Sequence, residues 1–272
     1  MDAIKNAHSR DTSCRNALMQ LREVCFSYEE EPVLNDISFQ CRRGEFIGVI
    51  GPNGSGKSTL LKLMGGILKT NQGRLLFKNR ELKDYKTKEL AQSISWLPQE
   101  NQLIFPFKVL DVVLMGRHPY LSRLAFEGEE DFRIAHRAME MTHVSDFSNR
   151  LFNEISGGEK QRVMLAGAIA QEPEMMLLDE PTSSLDIKYQ IEILNILKRL
   201  NEDDGLTLVL ALHDLHLAAR FCDRLALLDK GRIVRSGTPD HVLEKEALET
   251  VYGIKVKILR NPDDGSIWVS PG

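Results

Sequence analysis

Eight residues, GPNGSGKS at Gly51–Ser58, constrain what this chain can fold into more than any others. They follow a strand-like GEFIGVIG and run into an apolar, helix-compatible LLKLMGGIL, so a strand, a glycine-rich loop and a helix succeed one another. This spacing suits a loop that cradles phosphate. Gly51, Gly54 and Gly56, with Pro52, Asn53 and Ser55 between them, let successive backbone N–H groups curl around phosphate oxygens, and the helix N-terminus adds its positive dipole end. The spacing predicts that Lys57 supplies charge to the β- and γ-phosphates, that Ser58 holds Mg²⁺ through its hydroxyl, and that Thr59 contacts the α-phosphate.

A second feature lies far along the chain. MMLLDE ends an apolar strand in two carboxylates, a costly arrangement in a core unless charge there has a role. Asp179 is placed to orient Mg²⁺ through its water shell and Glu180 to polarise an attacking water. An Asp-Glu pair before Pro181 could also simply end a strand; the phosphate loop upstream favours the chemical reading.

The 272 residues, 42% of them apolar, suffice for one large domain with a smaller lobe. A net charge of −4, with both signs mixed throughout, gives no basic stripe to track a nucleic-acid backbone, so nucleic acid is not expected as a partner. Cys14, Cys25, Cys41 and Cys222 are scattered without metal-binding or redox spacing and suit a reducing compartment. The polar start lacks the apolar run of a secretory signal, and no stretch reaches the roughly 20 apolar residues of a membrane span. The expectation is a cytoplasmic protein whose membrane contact comes through a partner.

Residues 1–17 read as a flexible tail outside the fold. From Leu21, LREVCFSY, VLNDISFQC and GEFIGVIG read as a β-rich opening, and GRLLFKNREL as a further strand. From about Asn101 the pattern turns helical, as in EEDFRIAHRAMEMTHV, and reads as an inserted lobe. EMMLLDE and LTLVLALHD are the near-continuous apolar runs of parallel strands covered on both faces. Between them, Ile191, Leu194, Leu197 and Leu200 line one side of a helix. RLALLDKGRIVRSG predicts two strands about Lys230-Gly231, and the end of the chain predicts a hairpin about Asp264-Gly265.

Phosphate loops serve kinases, GTPases and helicases alike, so they establish phosphate chemistry and little more. ISGGEKQR, Ile155–Arg162, narrows the choice: its Ser-Gly-Gly core, opening a helix, resembles the signature sequence of ABC ATPases. Further resemblances follow in order over residues 21 to about 260. Tyr28 matches the aromatic that stacks on adenine, Gln99 the glutamine joining Mg²⁺ and the attacking water to the channel interface, and His213 the switch histidine at the γ-phosphate. SSLD, ending at Asp186, matches the loop by which each subunit touches its mate. His216 has no such match and reads as an ordinary helix residue. The signature departs from the commonest LSGGQ form at Ile155 and Glu159, the latter a charge that the helix dipole tolerates.

The resemblance implies an α/β fold of the P-loop NTPase, ABC ATPase type: a mixed core sheet, an antiparallel β subdomain and an inserted helical subdomain. It would form one domain over 18–272, with the helical subdomain at about 101–165 and a C-terminal β-hairpin at about 255–270. It implies a homodimer with ATP and Mg²⁺ held between Lys57, Ser58, Asp179, Glu180, Gln99 and His213 of one copy and Ser156, Gly157, Gly158 and Glu159 of the other. It also implies two integral membrane permease subunits, an extracytoplasmic substrate-binding protein beyond them, and a peripheral position on the inner face of the cell membrane. GRHPYLS, LDIKYQIEIL, HDLHLAARFCDR and VYGIKV resemble ATPases of importers for iron chelates, haem and cobalamin, with ferric siderophore or haem the leading cargo. Cobalamin import, or a cytosolic ATPase of iron–sulfur cluster assembly, stays open as an alternative.

Overall fold

The computed structural model describes residues 17–99, 105–122, 125–183, 185–262 and 266–272. Along the chain, β1 (Ala17–Tyr28) and β2 (Glu31–Arg42) form a hairpin, β3 (Phe46–Ile50) leads through the glycine-rich loop into α1 (Lys57–Met64), and β4 (Gln72–Phe77), β5 (Arg80–Glu81) and β6 (Ile94–Leu97) follow. Three helices come next, α2 (Val109–Leu114), α3 (Glu129–Met141) and α4 (Gly157–Ala170). The remainder alternates as β7 (Met175–Asp179), α5 (Ile187–Asp204), β8 (Thr207–Ala211), α6 (Leu215–Phe221), β9 (Arg224–Asp229) and β10 (Arg232–Gly237). It closes with α7 (Lys245–Tyr252), β11 (Val256–Arg260) and β12 (Ile267–Pro271).

Two large sheets result. One is antiparallel in the order β2-β1-β4-β5; the other runs β10-β9-β3-β8-β7-β6 and is parallel except for its β9–β10 edge pair. Every residue of β3, β7 and β8 is buried, because α1 covers one face of this sheet and α5 and α6 the other, which is why these strands are apolar without alternation. The carboxyl ends of β3, β8 and β7 are therefore neighbours along one rim. Whatever follows them in the chain, Gly51, Leu212-His213 and Asp179-Glu180, is brought together there.

The fold starts earlier than its sequence pattern suggests. Ala17–Gln20, assigned in part to a tail, already belongs to β1, and Ala17, Leu18, Met19, Gln20 and Leu21 are all buried. β1 pairs with β2 on one side and β4 on the other, so its opening residues are central to a sheet and show no polar alternation. Residues 1–16 lie outside the described residues, as do Asn101, Ser184 and the Asp264-Gly265 turn.

The helices α2, α3 and α4 pack on one another, and their buried side chains, Val109, Val113, Ala135, Met139, Val163 and Ala166 among them, continue into the core beneath the second sheet. The terminal hairpin is tied down by His216 of α6. Its ring stacks on Trp268 with centroids 3.8 Å apart, and its Nδ1 lies 3.1 Å from the Ile267 carbonyl. His216 is thus a structural pin and not an ordinary surface residue of its helix. Among the described residues no helix is long and apolar enough to cross a membrane.

Candidate nucleotide site

The glycine-rich loop owes its shape to a few positions. Gly51 has φ 149°, and a Cβ there would lie 2.1 Å from the Leu228 carbonyl oxygen, so only glycine lets the loop leave β3 against β9. Gly56, at φ 105°, caps α1 beneath Leu34. Around the loop, Gly231 of the β9–β10 turn donates to the Ser55 carbonyl at 3.0 Å and accepts from Asn35 N–H at 2.8 Å, tying both sheets to it. Pro52 is half-buried, Asn53 and Gly54 are exposed at its tip, and Thr59 is buried under the start of α1.

Lys57 folds back over the loop, its Nζ donating to the Gly51 carbonyl at 2.8 Å and the Pro52 carbonyl at 3.0 Å. Burial lowers its ammonium below the ordinary lysine range, and the charges of Glu180 and Asp179 oppose that shift. Ser58 donates from Oγ to Asp179 Oδ1 at 2.9 Å. Asp179, sealed at the end of β7, has its carboxyl raised by burial, with the Ser58 hydrogen bond pulling the other way. A hydroxyl and a carboxylate side by side are hard oxygen donors of the kind Mg²⁺ takes beside phosphate oxygens and water. Among the described residues there is no cluster of three or more His, Cys, Asp and Glu that could hold a metal ion.

Glu180 adopts φ 51°, an unfavourable conformation for a non-glycine residue. Its backbone N–H is held by the Ala211 carbonyl at 3.2 Å. Its two carboxylate oxygens are both engaged: Oε2 accepts from Gln99 Nε2 at 2.6 Å, and Oε1 meets His213 Nε2. Gln99, Glu180 and His213, which lie far apart in sequence, therefore form one cluster beside the Lys57–Ser58–Asp179 group.

The Ser-Gly-Gly turn stands apart. Among the described residues no hydrogen bond joins Ser156–Glu159 to the phosphate loop of the same chain. Ser156 caps α4, accepting from Glu159 N–H at 3.4 Å, while Glu159 Oε2 accepts from Ser156 N–H at 2.7 Å. The glutamate that departs from the commonest signature thus completes a capping box, and these hydrogen bonds hold its carboxyl below the usual range. Gly157 is unobstructed and exposed, so its backbone faces solvent. Asp186 caps α5 through the Tyr189 N–H at 3.1 Å. Tyr28, 43% exposed at the end of β1, rests edge-on against Phe26 and presents a free face.

Sequence reasoning did not single out Tyr252. Burial pushes its hydroxyl up to about 12, with the Gly51 backbone acting in the opposite direction, so the last residue of α7 lies beside the first residue of the phosphate loop. Only the resemblance of VYGIKV marked this segment, and no local pattern connects positions two hundred residues apart.

Comparison with known proteins gives the family and the fold. The family profile described as ABC transporter matches residues 34–183. The hemin import ATP-binding protein HmuV of Gloeobacter violaceus is 41% identical, covering 88% of each chain. The petrobactin import ATP-binding protein FpuC of Bacillus anthracis is 34% identical over 90% of each. The cobalamin import ATP-binding protein BtuD of Halobacterium salinarum is 38% identical over 88% of this chain, which spans 60% of that protein's length. It likewise spans 55% of the 40%-identical YvrA of Bacillus subtilis, an uncharacterised ABC transporter ATP-binding protein. Among solved structures, an inward-facing transporter ascribed to the metal-chelate ABC type superposes with a TM-score of 0.83 at 28% identity, covering 94% of this chain and 98% of that one. A dimeric ATP-binding cassette bound to ADP and Pi superposes with a TM-score of 0.72 at 33% identity over 81% and 98%. With the phosphate loop, the strand-end carboxylates and the Ser-Gly-Gly helix cap all in their places, the chain belongs to the ABC transporter ATP-binding family.

Proposed function

We propose that this chain is the ATP-hydrolysing subunit of an ABC importer and works as a homodimer. The observation that carries the reading is the convergence of Gln99, Glu180 and His213 beside Ser58, Asp179 and Lys57, on the rim where β3, β8 and β7 end. The separation of the Ser156–Gly158 turn from that rim is explained if it closes over nucleotide held by a second copy. The dimeric relative bound to ADP and Pi supports such an arrangement.

In this reading the loop amides and Lys57 neutralise the phosphates, Thr59 contacts the α-phosphate, and Tyr28 stacks on adenine. Ser58, Asp179 and Gln99 would hold Mg²⁺, which would supply charge neutralisation at the phosphates. Glu180 orients the attacking water and accepts its proton, while His213 donates to a γ-phosphate oxygen. The second copy's Ser156, Gly157 and Gly158 add donors from a helix N-terminus, contacts available only in the closed form. Glu159 sets that cap, and Asp186 holds the neighbouring loop. ATP favours closure because it bonds both copies at once, and its cleavage releases them.

For the transported substrate, a ferric siderophore or haem is the leading assignment, supported by the petrobactin and hemin relatives; cobalamin is the alternative, supported by the cobalamin relative. Two membrane permeases would anchor the dimer at the inner face of the membrane, fed by an extracytoplasmic binding protein. The test is Glu180→Gln, expected to abolish hydrolysis while keeping ATP-dependent dimerisation; near-normal turnover in that variant overturns the assignment. Growth of a deletion strain on single iron or cobalamin sources separates the cargoes.

A further inference from the structure

A charged side chain sealed from water needs full pairing to offset its lost hydration. Arg162, in the second turn of α4, is only 6% exposed, yet among the described residues neither its Nε nor its Nη1 has a hydrogen-bond partner. Two weaker contacts hold it. The guanidinium carbon stands 4.7 Å over the ring of Tyr189, and Nη1 lies 3.8 Å from Glu192 Oε2, beyond hydrogen-bonding range. Both partners belong to α5, the helix that Asp186 caps, and Glu192 is shared with Lys188 at 3.9 Å.

The Ser-Gly-Gly turn meets the same patch. A Cβ at Gly158 would lie 3.5 Å from the Tyr189 ring and 3.6 Å from the Leu185 side chain. Gly158 and Arg162 of α4 thus face Leu185, Tyr189 and Glu192 across one seam. The seam joins the turn that caps nucleotide to the Leu185–Asp186 approach to α5.

We propose that Arg162 is a positioning residue that locks α4 to α5 through Tyr189 and Glu192, so that the Ser156–Gly158 turn and the Leu185–Asp186 segment meet a second copy as one rigid unit. The proposal rests on the shared-site reading above. The incomplete pairing is what lets the lock respond to closure. Glu192 is half-exposed here, so water screens its attraction to the guanidinium, and the same contact strengthens if closure of a dimer dries the seam. A lysine cannot replace the planar group that both stacks on Tyr189 and reaches Glu192.

The experiment compares the full-length wild type with Arg162→Met, Arg162→Lys, Glu192→Gln and the Arg162→Met/Glu192→Gln pair. Nucleotide binding to the monomer, ATP-dependent dimerisation in the Glu180→Gln background, steady-state hydrolysis and thermal melting are measured on each. Arg162→Met is expected to keep monomer nucleotide affinity within about twofold and a melting temperature equal to or above wild type, because an under-paired buried charge gives way to an apolar chain. It is expected to lose dimerisation and kcat by about tenfold or more, with Arg162→Lys recovering only part and the double variant no worse than Arg162→Met alone. Wild-type dimerisation and hydrolysis in Arg162→Met, or a loss matched by an equal loss of folded protein, overturns the proposal while leaving the shared site standing. A wild type that binds ATP but never dimerises on it overturns both.

Discussion

Glu180 and Asp179 are adjacent in sequence and opposite in situation. Glu180 reaches its partners only by holding φ 51°, whereas Asp179 ends a buried strand with Ser58 as its near partner. Because burial raises the Asp179 carboxyl, the folded chain holds that proton more tightly than the unfolded chain does, so its contribution to stability is present at low pH and is lost as pH rises from the ordinary aspartate value through the raised one. Asp179→Asn, free of nucleotide and Mg²⁺, is therefore expected to melt about 2–4 °C above wild type at neutral pH, with the gap narrowing as pH falls. Melting curves across pH check this, and hydrolysis by the variant should be lost. A second contrast lies within the phosphate loop. Gly51→Ala drives a Cβ into the Leu228 carbonyl and is expected to cost roughly 2–4 kcal/mol in denaturant unfolding. Gly54→Ala, where an added Cβ meets nothing within 4 Å, is expected to cost only about 1 kcal/mol from its φ of 76°.

At the level of elements, the terminal hairpin is held by its buried Val256 and Ile267, by the Arg260–Asp240 pair and by the stacking of Trp268 on His216. Trp268→Ala removes the ring that covers His216 and is expected to lower stability by about 1–2 kcal/mol, read as a fall of about 2–4 °C in Tm, with hydrolysis within about twofold of wild type. That dependence was not legible in the sequence, since His216 and Trp268 share no local pattern. The same limit explains Tyr252 and Arg162, whose partners arrive from elsewhere in the fold. What could be read were features whose physics is local: the loop spacing at Gly51–Ser58, the apolar strands ending at Asp179 and before His213, and the Lys230-Gly231 turn; the helix start at the Ser-Gly-Gly core came from the resemblance. The start of β1 was missed for a related reason. Strand pairing on both edges removes the alternation by which an isolated strand is recognised, so Ala17–Gln20 carried no signal of its own.

For the molecule as a whole, the division between the β3-β8-β7 rim and the Ser-Gly-Gly turn leads to a complementation test. Lys57→Ala lacks a working phosphate loop and Ser156→Arg a working cap, so each alone is expected to be inactive. Mixed, one chain's loop can meet the other's cap, and hydrolysis up to about half the wild-type level should return; two dead variants that stay dead together would argue against a site built from two copies. The grip of Gln99 and His213 on both oxygens of Glu180 bears on the same question from the side of the solitary chain. Turning either oxygen toward a new partner means loosening one of two tethers that reach Glu180 from different strands, so the Gln99 and His213 segments are coupled through this one carboxylate.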